Sequence, residues 1–198
     1  MLIRSNHSDF DRDLLENLKF DPVHPATVWN ERRTSIEDRE IYFQIEDNYP
    51  TYVLCVAFTA TLPDTMDQIF YSTPASDNHK FAIFYSVFKT PHIESPKHGS
   101  GWLILSAAAY IKEAFPTVEH FITMSPIPSL TKVFDEKPSN DEVNKYLQSR
   151  KDPVSRFHLR NGASFFRVVR DADTSDIRQA QSWGIMANYD YTSLVGTL

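Results

Sequence analysis

Of the groups able to do proton-transfer or covalent chemistry, Ser125 and His158 are the best mounted in this sequence. Ser125 stands in Met-Ser-Pro-Ile-Pro. Pro126 and Pro128 fix their own φ and push Ser125 and Ile127 toward extended geometry, a rigid mount that could aim a hydroxyl. The same string also serves as an ordinary exit from a strand, with the hydroxyl capping a loop amide. His158 lies in FHLRNGA, between Phe157 and Leu159 and ahead of Arg160 and Asn161. Of that cluster only the imidazole can give and take a proton near neutrality, which makes it the natural acid or base. A histidine flanked by apolar residues is, on the other hand, more often a satisfied structural group than a catalyst.

Gly99-Ser100-Gly101 precedes an apolar helical stretch that begins at Trp102. Backbone amides of a glycine-bearing loop that runs into a helix N-terminus can hold a phosphate, because the amides and the helix dipole point at one anion. Lys97 and His98 would add positive charge at the same mouth. Two glycines can equally do no more than turn the chain. Tyr189 and Tyr191 alternate with Asn188 and Asp190 and so share a sheet face, with core packing the expected role of one of them. The remaining six histidines show no HExxH or comparable ligand spacing, and no metal site is expected. Cys55, the single cysteine, lies in an apolar strand and reads as a small buried hydrophobe. There is no GxSxG elbow, Walker loop or dinucleotide fingerprint.

The elements that would carry these residues follow from patterning. Residues 40–46 (EIYFQIE) and 51–60 (TYVLCVAFTA) read as a β-hairpin, and 80–88 (KFAIFYSVF) as a central strand covered on both faces. A buried helix over 102–115 ends at Pro116. Strands at 119–124, 163–169 and 185–191 alternate with helices at 141–150 and 175–182, and a short helix is expected at 9–18. That order is α/β or α+β, a mixed sheet with helices packed on it. A chain of 198 residues, 41% hydrophobic, 13% aromatic and 23% charged, is one globular domain that buries roughly 70% of its unfolded surface without a disulfide framework.

With 26 acidic residues against 20 basic ones, a net charge of −6 argues against a broad grip on nucleic acid phosphates. The longest apolar runs, 52–60 and 102–109, are far short of the roughly 20 residues that cross a bilayer. The first twenty residues form neither a secretory signal nor a basic transit peptide, and a cytoplasmic location is the expectation.

In order, the fragments VHP (23–25) with Trp29 downstream, VAFTATLP (56–63), AIFYS (82–86), a glycine-bearing loop and helix ending in Phe115-Pro116, MSPIP (124–128), DPVSRFHLRNGA (152–163), ADTS (172–175) and GIMANYDY (184–191) resemble the catalytic domain of malonyl-CoA decarboxylases. The likeness spans residues 23–191. SPIP, FHLRNGA and GxMANYxY in one order and phase are its most specific part. The resemblance implies the fold of GCN5-related N-acetyltransferases, a splayed mixed sheet flanked by helices that admits a pantetheine arm. It places catalytic roles on Ser125, His158, Tyr191 and Ser86, and binding of the CoA pyrophosphate on Lys97, His98, Gly99, Ser100 and Gly101. It divides the chain into an N-terminal extension, 1–22, and a catalytic-domain-like unit, 23–198. The sequence departs from the family in three places: at most about twenty residues replace a helical N-terminal domain, the stretch 129–156 is shorter, and His98 falls near a family glutamate.

What the resemblance implies is decarboxylation of malonyl-CoA or a related malonyl thioester with no cofactor beyond the CoA moiety of the substrate, hydroxyl groups meeting the enolate and His158 supplying the proton. Acyl transfer from CoA or an acyl carrier protein with His158 as general base, and a CoA-thioester-binding module without turnover, are the alternatives. Partners are then acyl-CoA or carrier protein, with a homo-oligomer left open.

Overall fold

The structure, a computed structural model, describes residues 1–4, 38–71, 78–90 and 96–197. The helix expected at 9–18, the VHP string, Trp29 and most of the expected N-terminal extension lie outside the described residues.

The chain opens with β1 (Leu2–Arg4), which pairs antiparallel with β2 (Arg39–Glu46). β2 and β3 (Tyr49–Thr59) form the expected hairpin. Its turn holds Asp47 at φ 50° and Asn48 at φ 68°. Positive φ at both central residues is what a two-residue type I′ turn demands, and Asp and Asn are among the few side chains that tolerate it. Then come helix α1 (Met66–Tyr71), β4 (Phe81–Lys89), helix α2 (Ser100–Ala114), β5 (His120–Thr123) and β6 (Ser125–Pro126). Past a 3₁₀ turn at Leu130–Lys132 follow α3 (Asn140–Gln148), α4 (Pro153–Arg160), β7 (Ser164–Val169), α5 (Asp176–Ser182), β8 (Met186–Asp190) and α6 (Thr192–Val195). Sheet order is β1-β2-β3-β4-β5-β8-β6, with β7 on the other side of β8. No described helix is long and apolar enough to cross a membrane.

Successive side chains of a strand point to opposite faces, and in the middle strands both faces are covered. Tyr42, Leu54, Val56, Ala82 and Phe84 pack with Leu103, Ile104 and Ala107 of α2. Ile41, Val53, Cys55 and Ile83 pack on the opposite face with Ile69 of α1. Hence the unbroken apolar string of 80–88, and hence the buried Cys55.

The site is opened by one topological feature. β4 and β5 run parallel and pair only from Phe81 opposite His120 to Phe84 opposite Thr123. Beyond that point β4 continues to Lys89, whereas the other chain turns away at Met124 so that Ser125 and Pro126 pair with Ala187 and Met186 of β8. Pro126 has no N–H to offer a neighbouring strand, so the separation cannot close at that residue. A register shift between Cys55 and Val56 against Ser86 and Phe84 leaves Tyr85 as the extra residue of a bulge, a device that bends a strand locally.

All nine described elements expected from patterning are present, displaced by a residue or two at their ends. The chief omission from the sequence reading is α4, which carries His158. It has eight residues, too few for periodicity to register. Its start was nonetheless marked: Asp152 caps the amides of Val154 and Ser155, both at 2.9 Å, and Pro153 occupies the first turn, where no N–H is needed.

Candidate active site

The separation of β4 from β6 opens into a cavity of about 590 Å³. Tyr85, Ser86 and Val87 line one wall, Met124 and Ser125 the other, and Phe157 and His158 of α4 close the floor. Ser125 and His158, 33 residues apart in the chain, meet here with Oγ 3.0 Å from Nε2. Ser86 lines the same cavity from β4.

Tyr191 does not line it. It lies behind His158, fully buried, with its hydroxyl 3.0 Å from Nδ1. The Tyr189 ring stacks on the imidazole, centroids 4.7 Å apart. Tyr189 and Tyr191 thus share a face as expected, and both pack in the core. Burial in this aromatic nest pushes the His158 imidazole down to about 3, so it is neutral at pH 7. Burial, then the charge of Tyr189, raises the Tyr191 phenol above its ordinary range, so it keeps its proton.

Three residues whose roles were not foreseen from sequence hold Ser125 and His158 in register. Thr123, two residues before Ser125 on the same strand face, accepts a hydrogen bond from Ser125 Oγ at 2.8 Å and another from the Tyr189 amide at 3.0 Å. Asn188 donates through Nδ2 to the Thr123 carbonyl at 2.6 Å, and its Oδ1 accepts from Arg167 Nε at 2.8 Å. Asp152 spends one carboxylate oxygen on the start of α4 and the other on the Ser129 hydroxyl, at 2.6 Å. The loop after Ser125 is thereby tied to the helix that carries His158. Alternation along Phe-Ile-Thr-Met-Ser and the Asp-Pro pair were the signals that could have found Thr123 and Asp152.

Of the five loop residues, only Ser100 lines the cavity. Lys97 and His98 have their backbone amides committed to the Glu46 carboxylate, at 2.7 and 3.2 Å. Slight burial opposes ionisation of Glu46, but these amides and Gln44 prevail and hold it below its ordinary pKa. The Lys97 ammonium is exposed, 3.8 Å from Asp47, and the His98 ring stacks on Trp102 at 5.2 Å. Gly99 is the N-cap of α2, which has no side-chain cap, so its first amides face outward without a carboxylate or hydroxyl on them. Gly101 is required for a different reason. A Cβ there would lie 2.0 Å from Asn161 Oδ1, because the end of α4 packs directly against the start of α2.

A second polar group on the cavity wall escaped the sequence reading altogether. Buried Asp173 sits 3.8 Å from Arg178 Nε, and Arg178 donates to Gln181 at 2.7 Å. All three residues line the cavity.

The family described as the malonyl-CoA decarboxylase C-terminal domain matches residues 7–152 and 142–194. Mitochondrial malonyl-CoA decarboxylase of Rattus norvegicus is 24% identical over 240 residues, which cover 85% of this chain and 49% of the rat protein. The chain therefore spans about half the length of the curated relatives it matches. Among solved structures, malonyl-CoA decarboxylase from Agrobacterium vitis superposes with a TM-score of 0.79 at 22% identity, covering 96% of this chain and 60% of that one. The GphF GNAT-like decarboxylase, solved with isobutyryl-CoA, superposes with a TM-score of 0.70 at 15% identity and is covered over 97% of its length. The fold is thus GNAT-like, a mixed splayed sheet flanked by helices.

Proposed function

The chain belongs to the malonyl-CoA decarboxylase C-terminal domain family, and on that premise we propose that it removes CO2 from malonyl-CoA, or a closely related malonyl thioester, to leave acetyl-CoA. The observation that carries this reading is the Ser125–His158 contact of 3.0 Å on the floor of a cavity opened between diverging strands.

Breaking the C–C bond sends its electron pair into a thioester enolate, so the site must meet an oxygen anion and then protonate carbon. Ser125 and His158 line the cavity as a hydrogen-bonded pair, and Ser86 lines it from β4. These are the donors for the developing oxyanion. Beyond Ser100, Asp173, Arg178 and Gln181 the lining is largely apolar, and a bound thioester that displaces water from it strengthens those hydrogen bonds. His158 is the proton source. An anion beside Nε2 supplies the charge partner that burial withholds, and the proton affinity of the imidazole rises. After CO2 leaves, the proton forms the new C–H bond, the thioester is neutral, and the affinity falls again. Solvent supplies the next proton, so the sum is malonyl thioester carboxylate plus one proton giving acetyl thioester plus CO2.

The pantetheine arm reaches this floor through the opening between β4 and β6. The outward amides at the start of α2 suit the CoA pyrophosphate, and no group beyond the CoA moiety of the substrate is called for. Ser86, Ser125 and His158 form the reaction site in this reading, with Tyr191 acting on it from behind through His158. Lys97 to Gly101 form the CoA end, with Lys97 and His98 contributing side chains and Gly99 to Gly101 contributing backbone.

The test is incubation of the purified protein with malonyl-CoA, following acetyl-CoA by mass spectrometry. Turnover should fall roughly 10²–10³-fold in Ser125→Ala, the usual cost of one oxyanion donor, and further in His158→Ala. Acetyl-CoA formation no faster than in His158→Ala sinks the proposal. Release of free CoA only when an amine or thiol acceptor is present would assign the site to acyl transfer instead.

A further inference from the structure

We propose that Thr123 is a positioning residue that locks the direction of the hydrogen-bond chain running through the site, so that Ser125 serves as a hydrogen-bond donor and not as a nucleophile. The functional part of this inference rests on the decarboxylase reading above; the chemical part does not.

A serine hydroxyl carries one proton, and Ser125 gives it to Thr123 Oγ1 at 2.8 Å. The 3.0 Å contact with His158 must therefore run the other way, from a protonated Nε2 to the Ser125 oxygen. A neutral imidazole has only one N–H, so Nδ1 is then bare and can only accept. The far end of the chain accommodates that direction. Tyr191 is fully buried and retains its phenolic proton, and among the described residues that hydroxyl meets Nδ1, at 3.0 Å. The chain thus reads Tyr191 O–H to Nδ1, Nε2–H to Ser125, Ser125 O–H to Thr123. The reverse direction would leave that phenolic proton without an acceptor, whereas this one makes the Thr123 proton the free end of the chain.

This direction has a chemical consequence. For Ser125 to attack a thioester carbon, its proton must pass to Nε2 as the C–O bond forms and the thiolate leaves. Nε2 already holds a proton, and that route is closed in the resting site. Anion stabilisation stays open. Ser125 can rotate its proton from Thr123 to an enolate or carboxylate oxygen while still accepting from Nε2–H, and a charge-assisted hydrogen bond is roughly twice as strong as the neutral one it replaces. Thr123 holds the proton ready between turnovers. Its own place is fixed by the Tyr189 amide at 3.0 Å and by Asn188 on its carbonyl at 2.6 Å.

Two-bond ¹H–¹⁵N correlation spectra distinguish Nδ1–H from Nε2–H imidazoles, and His158 is assigned by its loss in His158→Gln. Ligand-free protein at pH 7 is expected to show the Nε2–H form, and Nδ1–H there overturns the proposal without any other variant. Thr123→Val, which removes the acceptor, is expected to shift His158 toward Nδ1–H, with Thr123→Ser restoring Nε2–H. An unchanged tautomer in a folded Thr123→Val removes Thr123 as the cause. Where Thr123→Val does not fold, the wild-type and Thr123→Ser spectra decide. With malonyl-CoA, kcat should drop between roughly 10- and 100-fold in Thr123→Val at nearly constant KM, as for other misplaced reacting groups, and recover in Thr123→Ser. Absence of any malonyl-CoA turnover in the wild type would sink the decarboxylase reading and leave the tautomer assignment standing.

Discussion

Acidification from pH 7 to pH 5 is expected to remove about 2 kcal/mol of folding stability through His158 alone. In the unfolded chain the imidazole titrates near ~6.5; in the native site burial pushes it down to about 3. Between those values the unfolded chain binds a proton that the native protein does not, so the stabilisation is intact above pH 6.5 and is lost as pH falls toward 3. The loss grows as RT ln(1 + 10^(6.5 − pH)), which is about 0.2 kcal/mol at pH 7, about 0.8 at pH 6 and about 2 at pH 5. At pH 5 the native imidazole is still neutral, so the size of the effect there follows from the unfolded chain. Urea unfolding of the wild type and of His158→Gln at the three pH values isolates it. The variant keeps the other six histidines and every carboxylate, so their contributions cancel in the difference. The wild type should lose about 2 kcal/mol more than the variant, or roughly 4–8 °C in Tm for a domain of this size. Equal losses in the two proteins would mean that His158 is hydrated and chargeable in the native state, and the neutral-imidazole chemistry drawn from its burial would go with it.

Gly101→Ala should cost about 1–3 kcal/mol, the usual range for overpacking, because its Cβ meets Asn161 Oδ1 at 2.0 Å. Gly99→Ala, with nothing within 4 Å, should leave the urea midpoint nearly unchanged, and equal effects at the two positions would refute the packing assignment. Asp152→Ala removes the cap of α4 and the tie to Ser129. Thermal melts should fall by the equivalent of about 1–2 kcal/mol and turnover by more than that instability explains, whereas Ser139→Ala, which breaks the capping box of α3, should cost about 1 kcal/mol and spare turnover. Glu46→Gln should weaken CoA binding by calorimetry without changing kcat, since it loosens the Lys97 and His98 amides and touches nothing on the cavity floor; undiminished affinity would show that the loop keeps its shape unaided.

The sheet was legible because its signals are local. Strand 80–88 reads as doubly covered from composition alone, and β2–β3 as a hairpin from two apolar runs either side of a polar turn. What alternation does not reveal is where two strands stop pairing. The parting of β5 from β4 after Thr123 creates the cavity, and its only trace in the sequence is Pro126. How the loop at 97–101 shares out its amides is hidden for a similar reason. A glycine-rich loop before a helix looks like one anion cradle, but two of its amides are already spoken for by Glu46, about fifty residues earlier, and Gly101 answers to Asn161.

Ser125 and His158 could be nominated separately as a mounted hydroxyl and a titratable group, and family resemblance joined them. Their meeting depends on contacts with no linear signature: Asp152 to Ser129, Asn161 against Gly101, and the Tyr189 ring under the imidazole. Residue type alone is also a poor guide to role at such a site. A serine beside a histidine suggests a nucleophile and its base, yet a threonine two residues upstream reverses the direction of the hydrogen bond between them. That alternation put Thr123 on the same face as Ser125 was readable in the sequence. That it takes the serine proton is an inference from the three-dimensional contacts, and it changes the chemistry the pair can perform from attack on a carbonyl to stabilisation of an oxyanion.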